Sequence, residues 1–144
     1  MKHDIIETTD LTHCHALRRT VFIEEQNVSE AEEMDGLDHE AIHLLATCDG
    51  TPVGTARLLL RGETGKIGRV AVLRTHRGTG LGAAIMRMAE EVLRSRPGVT
   101  RLYLSAQTHA LPFYEKLGYE VFGTLDNSPR DNVRIFLRKR LTAA

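Results

Sequence analysis

The chain has 144 residues, with 19 Lys and Arg balancing 19 Asp and Glu, so no net formal charge supports a general nucleic-acid binder, whose affinity would rest on a basic excess. That length suits a single domain over residues 1–144, and no linker, repeat or low-complexity tract divides it. Aliphatic runs such as Leu58-Leu59-Leu60 are far too short to span a bilayer, and the amino terminus lacks an apolar signal region; the expected location is the cytoplasm, with no membrane partner.

Thr9 or Asp10 suits the cap of a helix running to about Gln26, with Leu11, Cys14, Leu17, Val21 and Phe22 on or near one face. His13 and His15 diverge on such a helix, which argues against a metal pair. From Glu24 to Glu40 the chain carries eight carboxylates and no Lys or Arg. This segment reads as a solvated acidic loop, or as an acidic wall that would favour a cationic ligand. Ala41–Cys48, the turn Asp49-Gly50 and Val53–Leu60 read as a β-hairpin. His39 and His43 have i, i+4 spacing, but His43 falls in a strand, so no metal is expected there. Cys14 and Cys48 stand outside any Cys-x-x-Cys arrangement and read as reduced thiols.

Residues 61–65 turn the chain into a third antiparallel strand, Lys66–Val72, and a glycine-rich stretch ends it: Leu73-Arg-Thr-His-Arg-Gly-Thr-Gly-Leu-Gly82. A helix follows, with Leu81, Ala84, Ile85, Met88, Ala89, Val92 and Leu93 on one apolar stripe and Arg87, Glu90, Glu91 and Arg94 facing elsewhere. Strand, glycine turn and helix make an anion site. The first helical turn offers unpaired N–H groups, the dipole adds positive potential, and Gly78, Gly80 and Gly82 admit a bulky diphosphate. The spacing is neither Gly-x-Gly-x-x-Gly nor the phosphate loop ending in Gly-Lys-Ser/Thr, which counts against dinucleotides and nucleoside triphosphates. The helix returns to a parallel strand at Thr100–Ser105. A short helix over 110–117, stopped by Gly118, and strands over 119–124 and 133–141 complete the sheet.

Arg77-x-x-Gly80-x-Gly82 resembles the pyrophosphate loop of the Gcn5-related N-acetyltransferases, the GNAT family, and Ala110-Leu-Pro-Phe-Tyr-Glu-Lys-Leu-Gly-Tyr119 resembles its second signature. Arg18-x-x-Val21-Phe22-x-x-Glu25-Gln26, Glu33-x-Asp35-Gly-x-Asp38 and Arg57 look like the ElaA-like branch. The same cluster echoes acyl-homoserine-lactone synthases, which are typically longer and lack this loop. The resemblance implies an α/β (α+β) GNAT acyl-CoA N-acyltransferase fold: a mixed, mostly antiparallel sheet with a central splayed parallel pair, flanked by helices.

It also implies an N-acetyltransferase moving an acetyl group from acetyl-CoA to the primary amine of a small, cationic acceptor, with no metal and with a homodimer as one assembly. Val70, Ala71, Val72, Arg77, Gly78, Thr79, Gly80, Leu81, Gly82 and Gln107 would hold the cofactor. Arg74 would add charge, and Gln107 stands where many relatives have Asn. Tyr114 would be the acid. A phenol near ~10 matches a thiol near ~8.5 closely enough to protonate the leaving thiolate. Glu25, Glu33, Asp35, His43 and Arg57 are candidates for the acceptor side, unless the arginines and acids form a structural ion-pair network. No general base stands out, because the strand before the loop carries Arg69 where many relatives have Glu, which leaves Glu25, His43, Glu33 or a water chain as alternatives. A CoA-binding module without catalysis is the alternative from another class.

Overall fold

Strict alternation builds the strand at the centre of the molecule: in Arg101–Gln107, Leu102, Leu104 and Ala106 are buried while Tyr103, Ser105 and Gln107 turn to the other face. The computed structural model describes residues 2–125 and 134–141. Its strands are β1 (His3–Thr8), β2 (Ile42–Cys48), β3 (Thr51–Arg61), β4 (Thr64–Val72), β5 (Arg101–Gln107), β6 (Glu120–Leu125) and β7 (Arg134–Arg140). They form one sheet in the order β1-β2-β3-β4-β5-β7-β6, and every pairing is antiparallel except β4 with β5. This is the expected mixed sheet with its parallel pair. The last strand was expected from Val133, which lies outside the described residues.

One face of the sheet is covered by α3 (Leu81–Arg94), whose Leu81, Ile85, Met86, Ala89 and Leu93 meet Leu44, Val53, Leu58, Ile67, Leu104 and Leu137 in the main core. Small residues set how closely α3 packs. A Cβ on Gly54 would stand 2.8 Å from the Ile85 side chain, and one on Gly65 would stand 2.7 Å from Leu93. Against the other face, Cys14 and Leu17 of α1 (Thr12–Arg18) pack on Leu45 of β2.

Several sequence expectations change. The amino terminus forms a strand, β1, which pairs with β2 from His3↔Cys48 to Thr8↔His43. The first helix is interrupted: α1 gives way to a π-helical stretch over Arg19–Glu25, so the helix does not run evenly to Gln26. Its amino-terminal flanking residue is Leu11. Asp10 accepts from the Thr12 N–H (3.1 Å) and hydroxyl (2.8 Å), a local turn ahead of the helix rather than a cap. The acidic segment holds the short helix α2 (Glu30–Glu33), where the Ser29 hydroxyl accepts from the Glu32 N–H at 3.1 Å. Glu90, expected to face away from the core, is buried at 8% exposure. Finally, α4 (Leu111–Lys116) follows a 3-10 turn over Thr108–Ala110.

Candidate active site

The parallel pair is bonded only where Thr64–Lys66 meets Arg101–Tyr103. Beyond that point β5 stays with β7 to Gln107, while β4 continues to Val72 alongside β3. The strands therefore part, and β4 has no strand on its β5 side from Ile67 to Val72. Leu73 donates its N–H to Val53 O at 2.9 Å, so by strand alternation Val72 turns its own N–H and C=O toward the gap. A half-paired strand edge of this kind offers main-chain bonds to an extended ligand. The gap opens into a cleft of about 370 Å³, lined by Ile67–Val70 on one side, Ser105–Gln107 and Tyr114 on the other, and Phe22, Gln26, Val28, Glu32 and Glu33 across its mouth.

At the carboxyl end of β4 the glycine loop leads into α3. Gly78 and Gly80 adopt φ of 77° and 88°, which L side chains rarely tolerate, and a Cβ at either would meet nothing within 4 Å. With Gly80 as the flanking residue, no side chain caps the helix. Its first N–H groups lack intrahelical acceptors, so the turn is an open anion cradle that fits a diphosphate. Arg77 donates from Nε to Val72 O (2.9 Å) and from a terminal nitrogen to Glu25 Oε2 (2.7 Å); Arg74 lies 3.9 Å from the same oxygen. Thr79 donates its hydroxyl to His76 O at 2.6 Å, tightening the loop. Glu25, a candidate for the acceptor side, thus stands at the loop rather than along the cleft.

The arginine and acid cluster is a continuous network. Arg18, 1% exposed, pairs with Glu33 and reaches Asp38 at 2.9 Å. Arg57 grips both oxygens of Asp35 (2.8 and 2.7 Å) and reaches Asp38 at 3.1 Å. A bulge inserts an extra β4 residue opposite Thr55 and Arg57, and there Arg69 takes φ of 50°. That turn brings Arg69 Nε to 2.6 Å from Glu33 Oε2 and a terminal nitrogen to 3.2 Å from Asp35. Such a backbone costs on the order of 1 kcal/mol, which the ion pairs offset.

Hydrogen bonds from Arg57 bring the Asp35 carboxyl down from 3.8 to about 2. Burial pushes Asp38 up, but hydrogen bonds from Arg18 and His15 outweigh it and hold its carboxyl well below the usual range. His43 is buried, with Nε2 2.9 Å from Asp38 O, behind the network rather than in the cleft. Of the acceptor-side candidates, Glu33 alone lines the cleft; Asp35 and Arg57 buttress it.

Tyr114, 9% exposed, borders the cleft from α4, and Gln107 borders it from the end of β5. Phe113 and Tyr119 meet the Tyr114 ring edge-on at 4.9 and 6.0 Å. Sequence reading had no signal for Phe22, Gln26 and Val28 as cleft residues beyond the motif around the first two, and none for His109, which lines the same cleft. Among the described residues no group of three or more His, Cys, Asp or Glu stands together as metal donors, and no helix is long and apolar enough to cross a membrane.

A gap with room for an extended ligand, an anion cradle at its end and a phenol on its wall are features that an acyl-transfer enzyme needs. Residues 11–119 match the acetyltransferase (GNAT) family, and the chain belongs to that family. It is 40% identical over 105 residues to the uncharacterized N-acetyltransferase YjcF of Bacillus subtilis, covering 73% of this chain and 74% of YjcF. An acyl-CoA N-acyltransferase from Pseudomonas aeruginosa superposes with a TM-score of 0.80 at 30% identity, over 96% of this chain and 98% of the other. Escherichia coli ElaA gives a TM-score of 0.80 at 25% identity over the same shares, in keeping with the branch that the amino-terminal motifs resemble.

Proposed function

We propose that the protein transfers the acetyl group of acetyl-CoA to the primary amine of a small, cationic acceptor, with Tyr114 as the acid. The observation that carries this reading is the parting of β4 from β5, with the glycine cradle at one end of the gap and Tyr114 on its wall. The likeness to an acyl-CoA N-acyltransferase supports an acyl-CoA donor.

The N–H groups of the Gly78–Gly82 loop and Arg77 hold the diphosphate, assisted by Thr79 and Leu81 of the same turn. The open edge of β4 at Val70–Val72 and the Gln107 side chain align the pantetheine arm. The acetyl thioester supplies the activated carbonyl, and the Val72 N–H, turned toward the gap, stabilises the oxyanion. Tyr114 protonates the departing thiolate. Glu33, Asp35 and Arg57 act on the acceptor through the wall that they build, with His43 behind it. Three arginines and three carboxylates balance in that wall, and Glu32 adds a further carboxylate to the cleft lining beside Glu33, the acidic side that a cationic acceptor would meet.

Thiol release from acetyl-CoA, measured across a panel of primary amines with and without a second positive charge, tests this reading. We expect release with at least one amine carrying the second charge and weaker release with those lacking it. CoA binding without release on any amine overturns it in favour of a non-catalytic binding module.

A further inference from the structure

We propose that His109 is the general base that takes the acceptor's ammonium proton. This inference rests on the acetyl-transfer reading above and supplies the base that the strand before the loop does not provide. An amine with a pKa near ~10 arrives protonated and has no lone pair with which to attack a thioester. A group in the cleft must take that proton and pass it on.

The ionisable side chains lining the cleft are Glu32, Glu33, Arg69, His109 and Tyr114. Arg69 is a permanent cation and Tyr114 carries its own proton to the sulfur. Glu33 is 3% exposed, with Oε1 against Arg18 and Oε2 against Arg69, so both its oxygens are already engaged by guanidiniums. Glu32 accepts from the Ser29 hydroxyl at 3.2 Å in the first turn of α2, on a different element from the acid Tyr114. His109 combines a place in the cleft with an exposed imidazole, the side chain most often used in general acid–base catalysis.

Its place in the fold suits the task. His109 is exposed on the 3-10 turn Thr108–Ala110, which joins Gln107 at the end of β5 to the helix carrying Tyr114. Base and acid therefore come from the two ends of one short connection, and the exposed imidazole hands its proton to water. The sequence of bonds balances. His109 takes one proton from the ammonium and releases it to solvent, the nitrogen attacks the carbonyl carbon, and the carbon–sulfur bond breaks as Tyr114 gives its proton to sulfur. The second nitrogen proton leaves to His109 as the amide forms, Tyr114 regains a proton from water, and one proton is released overall.

The test measures thiol release from acetyl-CoA against pH with agmatine, benzylamine and ethanolamine as probes, for the parent, His109→Ala, His109→Gln and Glu32→Gln. In the parent, kcat/KM rises with pH to a plateau along a single limb. Both His109 variants lose roughly 10²-fold in kcat with CoA affinity and melting temperature unchanged, and added imidazole restores activity to His109→Ala in proportion to its concentration. Retention of activity and of the pH limb in both variants overturns the assignment. Disappearance of the limb in Glu32→Gln alone moves the base to Glu32 and overturns it equally. A parent that binds CoA but releases thiol with none of the three probes counts against acetyl transfer itself, a different failure from an active parent indifferent to His109.

Discussion

Tyr119 donates its hydroxyl to Glu90 Oε2 at 2.7 Å, joining the residue after the α4 turn to the buried side of α3. Lys139 closes the group: its Nζ lies 3.0 Å from the other oxygen of Glu90 and donates to Leu117 O at 2.7 Å. Burial and the Glu90 carboxylate push the Tyr119 phenol far above its ordinary value, so it stays protonated and takes no part in proton transfer. The Tyr119 N–H also bonds Tyr114 O at 3.1 Å, which fixes the end of α4. Tyr119→Phe should therefore cost about 1.5–3 kcal/mol of stability, the worth of a hydrogen bond to a charged group, while kcat changes little. Urea unfolding beside steady-state kinetics measures both.

Tyr114→Phe should show the opposite pattern. The ring keeps its contacts with Phe113 and Tyr119, but the proton for the thiolate is gone, so kcat should fall by roughly 10²-fold or more. Acetyl-CoA affinity and melting temperature should barely move. An acyl donor with a more acidic thiol should recover part of the loss; a variant retaining nearly full kcat removes Tyr114 from the mechanism.

Acid should loosen the network in a defined window. Asp35 titrates at about 2 in the folded protein against 3.8 ordinarily, so its contribution is present above about pH 4 and is lost as pH falls toward 2. Asp38, also depressed, adds to the same loss. Asp35→Asn should be less stable than the parent at neutral pH, and the difference should narrow steadily below pH 4. Urea midpoints at several pH values follow it; a gap constant with pH would assign the effect to packing.

Glu25 and a bound diphosphate would compete for Arg77, whose terminal nitrogen lies 2.7 Å from the Glu25 carboxylate. The pair is partly open to water, Arg77 exposed and Glu25 partly covered, and is worth about 1 kcal/mol. Glu25→Gln should therefore tighten CoA binding by up to roughly fivefold in calorimetry, most clearly at low salt. Weaker binding would mean that Glu25 holds Arg77 in its binding pose.

Strands β2 to β5, the parallel pair and the loop were legible because their signals are local: apolar runs bounded by turns, glycines at Gly78 and Gly80, and a helical stripe from Leu81 to Leu93. β1 was not, since Ile5 and Ile6 are adjacent and an edge strand needs only one covered face; Ile6 stays 54% exposed. A π-helical stretch differs from an α-helix by one hydrogen-bond step, which leaves no periodic mark. Glu90 read as a surface charge because Tyr119 and Lys139, which make its burial tolerable, lie far along the chain. Arg69 was legible as a departure from the family pattern, but its role required the bulge that swings it into Glu33 and Asp35.

The half-paired β4 strand should leave an isotopic signature. Ala71 and Leu73 face β3 and should hold their amide hydrogens, whereas Val70 and Val72, turned toward the gap, should trade theirs for deuterium quickly. The strand would then carry label on alternate residues, and an arm lying in the gap would slow the fast set while leaving the slow set as it was.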